Sequence, residues 1–230
     1  MQNLGPWLNA TKDHVSKHWQ AHLLPLVLLY AGGIAVGIAA TVVVLAGGIA
    51  VTVVGAIVQS GWLAALAMVV FYGGGLLAII VMAMLLTPIY FGHVAVVIRA
   101  HRGEPAHPGD MWWGFRNLGK VTVFMVLSTV ISLGAAMLCY FPAILVSVAF
   151  MFAVPAMVDR DLGAVDALKA SWELAKPRFL ELLVLMFIFF ALIMVLSYVP
   201  LVGPFLGTIA YVGAIIVIYD DLMQRDHFGA

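Results

Sequence analysis

The sequence predicts an all-α integral membrane protein, a six-helix bundle built as three hairpins, each preceded by a cytoplasmic interfacial amphipathic helix. Hydrophobic residues make up 64% of the 230 residues, charged residues make up 10%, and the mean hydropathy is +1.11. A soluble domain cannot expose this composition without aggregating. The charged residues also fall into clusters that separate long apolar runs. We therefore interpret residues 1–230 as a single membrane domain.

The distribution of lysine and arginine predicts the topology. These residues occur at positions 12–17, 99–120, 160–178 and 225, with none between these segments. The positive-inside rule puts all four segments on the cytoplasmic side, so an even number of crossings separates each pair. Both termini, including the tail 220–230, are therefore predicted to be cytoplasmic.

The N-terminal segment, residues 1–21, is predicted to be an interfacial helix. At helical spacing its apolar residues share one stripe, and its polar residues lie on the other side. The stripe comprises Leu4, Leu8, Val15 and Trp19, and the polar side comprises Asp13, Ser16, Lys17 and Gln20.

The first hairpin covers residues 22–98 and is longer than two crossings require. One crossing needs about 20 apolar residues, whereas residues 23–98 form an uncharged run of 76. We favour crossings at 22–46 and 74–98, with the glycine-rich segment 48–73 as an apolar, membrane-associated excursion near the outer face. The alternative is four short crossings.

Two further units repeat the order of interfacial helix, crossing, turn and crossing. The first covers residues 108–158 and begins with Asp110 as a predicted helix cap. The second covers residues 161–219 and begins with Asp161 in the same role. In this second unit the predicted apolar stripe of the interfacial helix comprises Val165, Leu168, Trp172 and Ala175. The predicted crossings are Val121–Tyr140, Pro142–Val158, Phe179–Val199 and Gly203–Tyr219.

A spaced pattern of residues runs through the second half of the chain. It comprises Pro142, Asp159, Gly163, Ala167, Ser171, Trp172 and Lys176, and "RGEP", "WGFRNLGK" and the terminal "IYDDL" accompany it. From Arg99 to Leu222 the chain thereby resembles a group of bacterial inner-membrane proteins. The group includes the YciC-like proteins and the membrane domain attached to some glycerophosphodiester phosphodiesterases.

The resemblance implies six helices and the cytoplasmic (inner) membrane of a bacterium. Phosphodiesterase activity is not implied, because these 230 residues contain no such catalytic domain. Segment 48–73 departs from the group, since it is apolar where relatives often have a polar outer loop.

Signatures of catalysis are mostly missing from the sequence. Intramembrane hydrolysis needs a nucleophile beside a base, yet the spans contain only scattered serines and threonines and one histidine. The zero net charge gives no indication of a nucleic-acid partner, and the lone Cys139 excludes a disulfide within the chain. We expect a protein that is not an enzyme and has no cofactor.

The favoured hypothesis is a lipid-interacting or envelope-organising scaffold that associates with further copies of itself. Gly33 and Gly37 form a GxxxG pair, which permits close helix packing within the chain or between protomers. Basic residues at the ends of two interfacial helices predict binding to membrane lipids with anionic headgroups. These residues are Arg116, Lys120, Lys176 and Arg178.

The alternative hypothesis is a transporter or channel for a small solute or lipid. Ionisable groups within spans are costly and tend to be functional, and Tyr90 with His93 is the best candidate for such a polar site. Pro88 and Gly92 lie in the same span and predict a kinked, thin stretch of helix. The other reading is that His93 is near enough to the interface to be solvated.

His14, His18 and His22 form a row with the spacing H-x3-H-x3-H. On a helix this row lies along one edge, and the i, i+4 spacing permits two imidazoles to share a metal ion. Two other interpretations are a pH-sensitive lipid contact and ordinary packing at the membrane interface. We expect no metal.

Overall fold

The chain is described by a computed structural model that covers residues 4–58, 61–138, 140–199 and 202–227. Within these ranges every regular element is helical, and no strand occurs. The helices are α1 (Leu4–Val58), α2 (Gly61–His101), α3 (Trp113–Arg116), α4 (Leu118–Leu138), α5 (Tyr140–Ala149), α6 (Ala153–Asp159), α7 (Ala164–Ala175), α8 (Phe179–Leu196) and α9 (Val202–His227). Short 3₁₀ turns lie at Pro108–Trp112 and Lys176–Arg178.

Six helical stretches in the described residues are long and apolar enough to cross a membrane. They are Leu4–Ile57, Gly61–His101, Leu118–Leu138, Pro142–Asp159, Ala164–Leu196 and Val202–Arg225. The chain is therefore a multi-pass integral membrane protein. The predicted all-α class and the six spans are confirmed, while the grouping into hairpins with interfacial helices stays a prediction.

The chain divides into two compact units. One consists of residues 1–26 and 88–230, and the other consists of residues 27–87. We call them the main unit and the hairpin unit. The prediction of one domain over residues 1–230 is not tested by this division.

The hairpin unit pairs the second part of α1 with the first part of α2. Gly33 contacts Leu86, and Gly48 contacts Phe71. Residues later in α1 thus contact residues earlier in α2. The two segments are therefore antiparallel, and the glycines let them approach closely.

The predicted helix ends at residues 46 and 74 are wrong. Residues 48–58 continue α1 and residues 61–73 belong to α2, so no separate excursion and no set of four short helices is present in the described residues. Backbone groups in lipid must find hydrogen-bond partners within the chain, and remaining helical satisfies them. The glycines at 47–48 and 73–75 therefore do not end either helix.

In the main unit, the predicted interfacial helix 1–21 is not a separate helix. Helix α1 runs from Leu4 through Pro25 without interruption. Trp19 of the predicted apolar stripe is 46% exposed, and contact of this stripe with the membrane stays a prediction. The buried face instead contains Trp7, His14 and His22, and the Trp7 indole donates a hydrogen bond to Asp221 of α9 at 2.8 Å.

The predicted span Pro142–Val158 is broken at residues 150–152, where α5 ends and α6 has not yet begun. Ser171 of α7 is fully buried beside the break. Its Oγ donates to the carbonyl of Ala149 at 2.6 Å and accepts from the N–H of Phe152 at 3.1 Å. The serine thus satisfies two backbone groups that the break releases.

Replacing Ser171 with alanine is expected to lower the free energy of unfolding by about 1–3 kcal/mol, because two buried backbone groups lose their partner. Thermal unfolding in lipid nanodiscs measures the effect. Ser147→Ala is the matched control, since its hydroxyl bonds only the carbonyl of Ala143 and is exposed. Equal stability of the two variants would contradict the bridging role.

Helix α7 confirms a helix in this region, and only Leu168 and Ala175 of its predicted apolar stripe are buried within the chain. Val165 and Trp172 are exposed. The buried residues are Ala164, Ala167, Leu168, Ser171, Leu174 and Ala175, because small side chains let the helix pack closely against its neighbours. The helix cap is Gly163 rather than Asp161, whose φ is 49°.

The predicted interfacial helix after residue 108 is a 3₁₀ turn followed by the single turn α3. Asp110 lies inside the 3₁₀ turn, where its carboxylate accepts from the N–H of His107 at 2.9 Å. The same side chain pairs with Arg99 of α2 at 2.8 Å. The turn packs directly on α2 at Gly92, where the backbone of Met111 occupies the space that a Cβ would fill.

Candidate functional site

Four histidines of the main unit form a continuous chain of ring contacts. His93 Nε2 lies 3.0 Å from His22 Nδ1, and His22 Nε2 lies 3.4 Å from His14 Nε2. His14 Nδ1 lies 2.9 Å from His101 Nδ1. Helices α1 and α2 each supply two of the rings, and we call the four residues the histidine chain.

The histidine chain is buried at one end. His22 and His93 have no exposed surface, and His14 is 3% exposed, whereas His101 is partly exposed. Val94, Val97 and Ile216 belong to the apolar cluster beside His93. The reading of His93 as solvated is therefore wrong, and so is the reading of His14 and His22 as ordinary interfacial residues.

Local helix geometry explains how the rings meet. His14 and His22 are two helical turns apart on α1, and His93 and His101 have the same separation on α2, so each pair lies on one face. Gly213 of α9 leaves room for His14, since a Cβ at this position would lie 3.0 Å from its ring. The His18 ring lies beside that of His14, tilted by 34°, with 5.1 Å between ring centroids.

The chain of contacts is unsuited to chelation in this geometry. A metal site needs one nitrogen of each ring to converge on a point, but His22 and His14 each direct their two nitrogens toward different rings. Among the described residues, no group of three or more His, Cys, Asp or Glu side chains is arranged to hold a metal ion. The rings of His14 and His22 therefore do not adopt the shared-ion arrangement that the spacing of the row permits.

A charged network lies at the His101 end. The guanidinium of Arg102 donates to Asp159 at 3.1 Å and to Asp220 at 2.6 and 3.3 Å, and a further short bond joins it to Asp159. The hydroxyl of Tyr219 donates to Asp159 at 3.0 Å. We call Arg102, Asp159, Tyr219 and Asp220 the charged network.

The hydrogen bonds to Asp159, followed by those to Asp220, raise the pKa of Arg102 above its ordinary value. The guanidinium therefore stays charged and holds two carboxylates that are only 13% and 11% exposed. Asp220 also lies 3.7 Å from His101 Nε2. This carboxylate connects the charged network to the histidine chain.

The predicted lipid-binding residues do not form one site. Lys120 is paired with Asp161, 2.8 Å from its carboxylate and 2.9 Å from its carbonyl. Arg116 donates to the carbonyl of Gly109. Lys176 and Arg178 lie in the 3₁₀ turn between α7 and α8.

The two predicted packing glycines, which lie in the hairpin unit, have different surroundings. Gly33 contacts Leu86 within the chain, whereas no side chain of another element lies within 4 Å of the Cβ position of Gly37. Among the described residues, helix packing within the chain thus involves Gly33 but not Gly37.

Four of the residues quoted for the family resemblance meet in the charged network. Arg102 comes from "RGEP", Asp159 belongs to the spaced pattern, and Tyr219 and Asp220 come from "IYDDL". Residues 121–222 match the family model for the membrane domain of glycerophosphoryl diester phosphodiesterase. The resemblance seen in the sequence is thereby confirmed over α4 to α8 and most of α9. No curated protein and no solved structure matches the chain.

The match contains Asp159, Tyr219 and Asp220 but none of the four rings of the histidine chain. Sequence reasoning found His14, His22 and His93 separately and did not identify His101 or Arg102. The signal that was available is that His101 and Arg102 directly follow an uncharged span that contains His93.

Proposed function

We propose that the protein transports a small solute or lipid across the inner membrane of a bacterium, through a polar site at His22 and His93. The supporting observation is that these two rings are fully buried within candidate spans and hydrogen bonded to each other at 3.0 Å. A buried polar pair is costly in a membrane protein, and such groups commonly mark a pathway for ions or solutes.

Two neighbouring features support a binding role for this site. Tyr90 lies one helical turn from His93 on α2, with 6.5 Å between the ring centroids. His93 Nδ1 is buried and has no hydrogen-bond partner among the described residues. A nitrogen in this state is available to a solute that carries a hydrogen-bond donor.

Transport is tested with the full chain in liposomes. Stopped-flow light scattering with glycerol and urea detects small neutral solutes, and dithionite quenching of fluorescent phosphatidylglycerol detects lipid movement. We expect His22→Leu and His93→Leu to lower the rate of the transported class by about tenfold or more. His107→Gln is the control, because His107 is exposed and outside the histidine chain. No flux above empty liposomes in either assay would overturn the proposal for these two classes.

Anionic phospholipid is the proposed lipid partner, at the predicted cytoplasmic face. Exposed Lys176 follows exposed Trp172 by one helical turn, and a basic residue beside an aromatic one is typical of the headgroup region. Self-association through the Gly37 face, cytoplasmic termini and the scaffold role stay predictions.

Native mass spectrometry with phosphatidylglycerol and cardiolipin is expected to show retained anionic lipid, with a gain of about 1 kcal/mol for each basic residue near the headgroups. Alanine replacement of Lys176 and Arg178 should remove more of this preference than replacement of Lys120, because Lys120 is already paired with Asp161. An unchanged preference after all four replacements, at positions 116, 120, 176 and 178, would contradict the prediction.

A further inference from the structure

We propose that the histidine chain is a proton relay that runs from His93 to Asp220, so that the proton is one of the species moved at this site. The inference rests on the proposed transport function for its role in the membrane. The contacts between five side chains, four histidines and Asp220, support the relay itself.

The four rings are connected in series. From His93 to His101 the successive nitrogen–nitrogen distances are 3.0, 3.4 and 2.9 Å. The two central rings, His22 and His14, each use one nitrogen toward the preceding ring and the other toward the following ring. Imidazole can accept a proton at one nitrogen and release another from the second, so this connectivity suits proton transfer.

Alternation of donors and acceptors along the series assigns one proton to each ring, once the proton of His101 is placed toward Asp220. A neutral imidazole has one N–H and one bare nitrogen, whereas a carboxylate only accepts. Asp220 lies 3.7 Å from His101 Nε2 and attracts the proton to that nitrogen. His101 Nδ1 is then bare and accepts from His14 Nδ1, which leaves His14 Nε2 bare to accept from His22 Nε2.

The same alternation of donors and acceptors continues to His93, at the buried end of the chain. His22 Nδ1 is bare and accepts from His93 Nε2, so His93 Nδ1 is bare. This atom is the one that has no partner among the described residues. An unpartnered acceptor at the buried end, in series with a carboxylate at the other end, is the resting state that a relay needs in order to take up a proton.

One complete transfer moves a single proton's charge from His93 to Asp220 through the four rings. A donor such as water or a protonated solute gives a proton to His93 Nδ1, and the Nε2 proton of His93 passes to His22 Nδ1. The Nε2 proton of His22 passes to His14 Nε2, and the Nδ1 proton of His14 passes to His101 Nδ1. His101 then releases its Nε2 proton to Asp220 or to solvent. All four rings end in the opposite tautomer, and they return by rotation or by the reverse transfers.

The groups around the relay favour one mobile proton at a time. If every ring were doubly protonated, no nitrogen could accept and the three ring contacts would be lost. The charged and titratable groups around the histidine chain and its Asp220 end are His18 of α1, Tyr90 of α2, Arg102 directly after α2, Asp159 of α6, and Tyr211, Tyr219 and Asp220 of α9. Arg102 donates a hydrogen bond to Asp220 at 2.6 Å.

Proton flux is measured with the pH-sensitive dye pyranine inside liposomes that contain the full chain, with valinomycin and a potassium gradient. We expect proton flux in the wild type and a decrease of about tenfold or more in His14→Phe, which removes one of the two central rings. His18→Phe is the matched control, because the His18 ring lies beside those of His14 and His101 but is not a member of the series of nitrogen–nitrogen contacts. Wild-type flux equal to that of His14→Phe would overturn the relay.

Solid-state ¹⁵N NMR of histidine-labelled wild-type protein in lipid gives a test without any variant. At neutral pH we expect His93, His22 and His101 to be protonated on Nε2, and His14 alone of the four to be protonated on Nδ1. A His93 ring protonated on Nδ1 at rest would overturn the relay. Proton flux without movement of any tested solute would contradict the transport proposal only, and solute movement without proton flux would contradict the relay only.

Discussion

Replacing Arg102 with glutamine is expected to lower the free energy of unfolding by about 2–4 kcal/mol. The guanidinium binds Asp159 and Asp220 together, and both carboxylates are largely buried. Without it, two negative charges lie close together with no cation between them. The loss is therefore larger than that of a single surface ion pair. Unfolding in mixed detergent micelles measures the change.

Lys120→Gln is the matched control for this prediction. Its partner Asp161 is 72% exposed, so water screens the pair, and we expect a loss below about 1 kcal/mol. The double variant Arg102→Gln/Asp220→Asn should recover part of the stability, because it removes one of the two unpaired charges. An Arg102→Gln variant as stable as Lys120→Gln would mean that the charged network contributes little to the fold.

The charged network also affects the chemistry of the histidine chain. Asp220 accepts from Arg102 and lies beside His101. Loss of Arg102 therefore changes both the position of α9 and the group that orients the proton on His101. Proton flux in Arg102→Gln is expected to decrease even in preparations that remain folded.

The sequence predicted the class, the six spans and the helix of the family pattern because these depend on local hydropathy and spacing. The length of an apolar run indicates whether it can cross a membrane. It does not indicate where a helix ends when its glycines contact a neighbouring helix. For this reason α1 and α2 pass through Gly48 and Gly74 without a break, contrary to the prediction.

The candidate site was predictable only in parts. Helical spacing placed His14 and His22 on one edge of a helix. His93 was a candidate because an ionisable side chain within a membrane span is energetically costly. The contacts between them join residues 71 and 87 positions apart in sequence. No local pattern specifies such pairs, since they depend on how α1 packs against α2. The Arg102–Asp220 contact, which joins residues 118 positions apart, could not be predicted for the same reason.

Replacing Gly92 with alanine is expected to destabilise the main unit by about 3 kcal/mol. An added Cβ would lie 1.9 Å from the carbonyl oxygen of Met111 and 2.5 Å from its carbonyl carbon. Both atoms belong to the backbone, so no side-chain rotation can relieve the overlap. The turn Pro108–Trp112 must then move away from α2, which also separates Asp110 from Arg99.

Gly109→Ala is the control for this substitution, because it adds the same methyl group to the same 3₁₀ turn and no atom lies within 4 Å of its Cβ position. Thermal unfolding in nanodiscs is expected to show a large decrease for Gly92→Ala and almost none for Gly109→Ala. Because residue 92 precedes His93, the first variant should also decrease proton flux in the fraction that stays folded. Equal unfolding temperatures for the two variants would show that the turn does not pack on α2 at Gly92.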